Sequence, residues 1–287
     1  MSDERVEPVA GAYGLAFPEL APTRRLLEAE PGWPSWAIRW QRPGSGAEQL
    51  GDDTGESWDD ERATLQAQPA GRILIERSTC RTTLLLPEAP SDEALVHPYL
   101  SSTAIVAGHW LGRATFHAGA FALDGQVWGV LGGRTTGKTS TLFLLHERGI
   151  PIVTDDVLIV DGVDAYSGPR CLDLREDVAH ATGQGRYVGV LGSRERWRVD
   201  LPSVPGRLPM AGWIVLAWSD AEVDLERLPA ASRMAALVAN RGLLAPAAEI
   251  NGLLDLLALP AVRFARPQDR SSAAKAVTRL LDTLAEL

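Results

Sequence analysis

Lysine is nearly missing from this chain: of its 28 basic residues, all but Lys138 and Lys275 are arginine. Cysteine is as scarce. Cys80 and Cys171 stand far apart, which excludes a disulfide framework and any zinc-ligand spacing, and both read as packed thiols. No apolar run approaches the roughly 18 residues of a membrane span, and the opening Met1-Ser-Asp-Glu-Arg is acidic, so no membrane partner and no signal peptide are expected. A cytoplasmic protein is the expectation. Excess positive charge is absent too: the formal net charge is −9, which would repel a nucleic-acid backbone. There is no internal repeat. What is present is a globular composition, 45% hydrophobic over 287 residues, enough to close a substantial core in one large domain or two modest ones.

Residues 1–94 read as a small β-rich N-terminal domain, with apolar segments at Trp36 to Trp40, Arg72 to Glu76 and Thr82 to Leu86 separated by Pro and Gly. Within it, 44–62 is acidic and poor in aliphatic residues, and is expected to be a mobile loop. Its Asp52, Asp53, Asp59, Asp60 and Glu61 suit a solvated charge run better than a cation site. A helix over Asp92 to Trp110, interrupted at Pro98, crosses into residues 95–287. There the pattern becomes α/β. A strand over Ala114 to Leu123, a turn at Asp124-Gly125 and a strand over Gln126 to Leu131 lead into a glycine loop and a helix, Thr139 to Arg148, ended by Gly149 and Pro151. Strands follow at Ile150 to Val153, Val157 to Val160, Met210 to Trp218 and Ala261 to Phe264. Amphipathic helices are expected at Ala230 to Asn240, Ile250 to Leu257 and Ser271 to Leu287.

The loop Gly132-Gly133-Arg134-Thr135-Thr136-Gly137-Lys138-Thr139 satisfies G-x-x-x-x-G-K-[ST] between an apolar strand and a helix, the setting in which that pattern has meaning. With two lysines in the chain, a chance match is improbable. Glycines let successive N–H groups converge on phosphate oxygens at a positive helix terminus. Lys138 can bridge the β- and γ-phosphates of ATP, the Thr139 hydroxyl can ligate Mg²⁺, and Ser140 completes the loop.

Such a loop serves kinases, GTPases and motors alike, so its neighbours must decide. Asp155 and Asp156 follow Lys138 after one helix and one short strand, which returns them to the sheet edge that carries the loop. Paired acids so placed suit a metal ligand and a base for an acceptor hydroxyl, or else a capped turn. His117, on the strand before the loop, would by itself read as a packed residue.

His117, the loop Gly132 to Ser140, and the stretch Leu144 to Asp156, which reads LLHERGIPIVTDD, together resemble the catalytic domain of HPr kinase/phosphorylase and its relatives. The resemblance implies a P-loop core of the HPr kinase/phosphoenolpyruvate carboxykinase type, with Asp155 as base, Asp156 holding metal or substrate, and His117 orienting the site. This chain departs from the family in Arg134-Thr135, where Ser-Gly is usual, and in Asp173-Leu174-Arg175, where Glu-Ile-Arg is expected. Metal binding by Asp173 and phosphate contact by Arg175 stand beside a plain charged strand face. Arg194, Arg196 and Arg198 alternate around Trp197, as a guide for an acidic peptide or as an exposed edge strand. The segment Tyr13-Gly-Leu-Ala-Phe-Pro-Glu-Leu is similar to kinases associated with ribosomal peptide biosynthesis, including those that modify lasso-peptide precursors. That implies a Ser/Thr hydroxyl on a small peptide or protein as acceptor. A small-metabolite kinase and a non-catalytic nucleotide-binding module are the alternatives, and self-assembly into a homo-oligomer stays open.

Overall fold

The computed structural model describes residues 8–20, 25–44, 55–220, 222–242 and 250–286. It is a mixed α/β chain with several sheets. Before the helix Asp92–Ala94 the described residues form strands and turns. Ala10–Ala12 lies between Leu15–Phe17 and Leu27–Glu28, and Ala37–Gln41, Arg81–Leu85, Arg72–Glu76, Arg62–Gln66 and Ser57–Trp58 pair in that order. Residues 45–54 of the acidic stretch lie outside the described residues. Its later part is a strand and a tight turn in which Asp59 Oδ1 accepts the N–H groups of Glu61 and Arg62, each at 2.8 Å.

The helix expected from Asp92 is broken where Pro98 removes a backbone donor. His97 has extended backbone (φ −151°, ψ 124°), and the helix proper runs Leu100–Trp110. It is buried along most of its length and shares a core with Tyr13, Phe17, Ile75 and Leu84 from the N-terminal strands and Ile159 and Tyr166 from the second half.

That second half is built on a nine-stranded sheet whose long member, Arg207–Trp218, pairs in parallel with Gln126–Leu131 and Ala261–Arg266. Gln126–Leu131 is apolar at almost every position because both of its faces are covered. The period of two sorts its side chains. Val127 and Leu131 join Trp213, Leu237 and Leu256 on one face, while Trp128 and Val130 join Leu142, Phe143, Phe264 and Leu280 on the other. The second layer contains the helices Lys138–His146 and Arg270–Leu284. A small sheet, with Arg194–Asp200 between Cys171–Leu174 and Arg186–Leu191, packs Leu172 and Leu174 into the same cluster. The three parallel strands end on the same side of the sheet, Trp218 and Arg266 level with each other and beyond Leu131, which pairs with Val215; this is the kind of edge where α/β sheets bind ligands. No helix among the described residues is long and apolar enough to cross a membrane.

Candidate functional site

The glycine loop leaves the strand Gln126–Leu131 and enters the helix Lys138–His146 through Gly137, whose φ of 84° is left-handed. A Cβ on Gly137 would meet Arg266 Nη2 at 2.6 Å, and one on Gly132 would meet Thr136 Oγ1 at 2.5 Å, so neither position accepts a larger residue without rearrangement. Thr136 Oγ1 donates to Gly133 O at 2.8 Å, and Thr135, a non-glycine residue at φ 68°, donates its hydroxyl to Arg134 O. Lys138 is buried, and its Nζ donates to Gly132 O at 2.6 Å and Gly133 O at 3.4 Å. Burial lowers its pKa against the opposing pull of Asp156 and Asp155. The ammonium is thus folded over the loop's own carbonyls, and must turn outward to reach a triphosphate.

The loop borders a cavity of about 860 Å³. Gly133, Arg134, Thr135, Lys138, Thr139 and Ser140 line it, as do His117 and Asp156; Gly132 and Thr136 instead shape the loop from behind. The Thr139 hydroxyl donates to Asp155, 3.1 Å from Oδ1 and 3.3 Å from Oδ2. Burial pushes the Asp155 carboxyl up to about 7, with the charges of Asp156 and Asp173 adding to the rise. Asp156 sits at φ 71°, a left-handed backbone that turns two successive carboxyls apart. Its side chain is 43% exposed, and its Oδ1 lies 3.3 Å from His117 Nδ1. His117, half-buried, has its pKa lowered, first by burial.

Several expectations change here. His117 is not within a continuous strand: it occupies the break between Ala114–Phe116 and Gly119–Leu123, where its N–H bonds Asn240 O at 2.7 Å instead of a strand neighbour. Thr139 stands against Asp155, whereas the expected division of roles paired it with Asp156. Asp173 is committed elsewhere, since both its oxygens accept from Arg198, at 2.6 and 2.7 Å, across the strand pairing Asp173↔Arg198. Burial, the largest single influence, works against the Asp173 charge, but the Arg198 hydrogen bonds and the neighbouring charges of His97, Arg198 and Arg196 together hold the carboxyl below its ordinary value. Arg198 therefore faces inward, also reaching Glu93 at 2.8 Å, while Arg194 and Arg196 line the cavity with Arg175.

Four contributors carry no sequence signal. Asn240 Oδ1 accepts the Gly132 N–H at 3.1 Å. Arg266 Nη2 donates to Thr136 O, Gly137 O and Thr141 Oγ1, and Trp218 Nε1 donates to Thr135 O at 3.3 Å. His97 Nε2 lies 3.9 Å from Asp156 Oδ2, its Nδ1 bonded to Ser101 Oγ, which also meets the Tyr13 hydroxyl. Through Tyr13 the N-terminal strands reach a small pocket that His97 shares with the paired acids.

Among the described residues no group of three or more His, Cys, Asp or Glu is placed to hold a metal by itself. The oxygen pair of Thr139 and Asp155 suits Mg²⁺ in a nucleotide site, where few protein ligands share the ion with phosphates and water.

No family model and no curated protein matches the chain. Among solved structures it is similar to the HPr(Ser) kinase/phosphatase from Coxiella burnetii, with a TM-score of 0.31 and 14% identity over 60% of this chain and 97% of that one.

Proposed function

We propose that the chain is an ATP-dependent kinase of the HPr-kinase-like kind, transferring the γ-phosphoryl group to a Ser or Thr hydroxyl on a peptide. The observation that carries the reading is the meeting of Lys138, Thr139, Asp155 and Asp156 at one sheet edge, with Thr139 and Asp155 in direct contact. The loop and Lys138 hold the triphosphate, and Thr139 with Asp155 would hold Mg²⁺. Bound there, the ion would draw charge from the phosphate oxygens and lower the Asp155 pKa. Asp156, more exposed and steadied by His117, takes the proton as the acceptor oxygen forms its bond to the γ-phosphorus. The bond from that phosphorus to the β–γ bridging oxygen breaks, and ADP leaves. This reverses the roles expected for the two acids.

A peptide acceptor is supported by the cavity's far wall. Arg175, Arg194 and Arg196 line it, and beside them the edge strand Arg186–Leu191 exposes Tyr187 and Val190, which would suit strand addition by an extended, acidic peptide. The test is mass spectrometry of Ser- and Thr-containing acidic peptides after incubation with Mg·ATP. A gain of one phosphate is expected with the native chain, and none with Lys138→Ala or Asp156→Asn. An Asp156→Asn chain with native turnover would remove that residue as base. Transfer to small hydroxyl metabolites but to no peptide would favour the metabolite kinase.

A further inference from the structure

Trp218 and Arg266 are partners in the pairing of two parallel strands, and both occupy the ligand-facing end beside the glycine loop. Arg266 is 4% exposed. Its Nη2 is used up on Thr136 O, Gly137 O and Thr141 Oγ1, yet its Nη1 is buried with no hydrogen-bond partner in the chain. A buried guanidinium nitrogen without an acceptor is costly, and on a cavity wall it points to an anionic or polar ligand atom. Its guanidinium carbon lies 4.5 Å from the Trp218 ring centroid, so the cation covers one face of the indole. The indole N–H is fixed on Thr135 O at 3.3 Å, and the residue as a whole is 37% exposed. A rigid aromatic face backed by a cation and pinned to the phosphate-binding loop is built to stack on a flat ring.

We infer that Trp218 and Arg266 form the nucleoside subsite: the purine base stacks on the open face of Trp218, and Arg266 Nη1 donates to an oxygen of the α-phosphate–ribose segment. This rests on the reading of the loop as a triphosphate site, and adds to it how the base is held. Gly137 serves the subsite as well as the phosphates, because a side chain there would displace both Arg266 and Trp218.

The test separates base from phosphates by titrating the full chain, in Mg²⁺, with ATP and with inorganic tripolyphosphate in a calorimeter. Trp218→Ala should weaken ATP by about tenfold or more, the usual scale for one base–aromatic stack, and leave tripolyphosphate within about twofold. Trp218→Phe keeps an aromatic face and should hold ATP to within about threefold of native. Should Trp218→Ala weaken both ligands alike, the indole is only a strut for the loop and the subsite is wrong. Unchanged ATP affinity in that variant also overturns it. A native chain that binds neither ligand overturns the loop reading, and the subsite with it.

Discussion

The Gly132 N–H donates to Asn240 Oδ1 at 3.1 Å, while the Asn240 carbonyl accepts the His117 N–H at 2.7 Å. One residue just past the helix Ala230–Ala239 thereby ties the start of the phosphate loop to the break that holds His117. Its own Nδ2 is anchored on Ala236 O at 2.8 Å. Asn240→Ala removes the side-chain acceptor and leaves a partly buried N–H at the loop unpaired, which should cost about 1–3 kcal/mol in urea unfolding. ATP affinity should fall with it, since the first loop glycine loses its tether. Stability and affinity both at native levels would show the tether to be idle.

Asp155→Asn tests the buried acid through pH. The Asp155 carboxyl titrates near 7 in the folded chain, against 3.8 for the unperturbed group, so the folded state binds this proton more tightly. The associated stability is complete below about pH 4 and is lost as pH rises through about 7. In chelated, metal-free buffer, Asp155→Asn should therefore match the native chain at pH 4 and exceed it at pH 8 by about 1–3 kcal/mol. A stability difference that stays constant from pH 4 to 8 would mean the carboxyl is not strained. Adding Mg·ATP should narrow the gap, because only the native residue gains a cation.

Much of this arrangement was local enough to read directly. Gln126–Leu131 is an apolar run feeding a glycine loop, and Gly149, at φ 77°, closes the following turn as a helix-ending glycine should. The Asp155–Asp156 pair arrives at the loop because one helix and one strand return the chain to the same edge. The rest depends on tertiary pairing. The inward turn of Arg198 follows from its register opposite Asp173, and nothing in the alternation of Arg194, Arg196 and Arg198 distinguishes it. Likewise Trp218 and Arg266 become loop contacts only because two parallel strands run on past the level of Leu131, whose partner is Val215. The His117 break is stabilised by Asn240, a partner more than a hundred residues later that no local pattern could reveal.

Asp173 and Arg198 should behave as a structural pair. Removing one partner of a buried, doubly hydrogen-bonded ion pair strands the other charge, so Arg198→Met should destabilise the fold by about 3–5 kcal/mol near pH 7. The Asp173 carboxyl is held below its ordinary 3.8, so its contribution is present above that value and fades as pH falls through the folded one. The Arg198→Met deficit should accordingly shrink in strong acid. Combining Arg198→Met with Asp173→Leu should restore part of the loss in thermal unfolding. If Asp173→Asn instead leaves stability untouched and abolishes Mg²⁺ binding, the residue is a metal ligand after all.

Lys138 is the remaining point of leverage. Its Nζ is occupied by Gly132 O and Gly133 O, so under the proposed function the ammonium would have to exchange these carbonyls for phosphate oxygens. Lys138→Met should therefore separate loop integrity from nucleotide binding. The methionine fills similar space but offers no donor to either set of oxygens. Unfolding without ligand should change by no more than about 1.5–3 kcal/mol, the net worth of a hydrogen bond to a charged group. Ligand-induced stabilisation should vanish, whereas an ATP-binding native chain should gain about 2.7 kcal/mol at ATP levels a hundredfold above Kd. An unchanged thermal shift with ATP in Lys138→Met would place the nucleotide away from this loop. The contacts among Thr139, Asp155 and Asp156 would then describe a folded sheet edge and not a kinase.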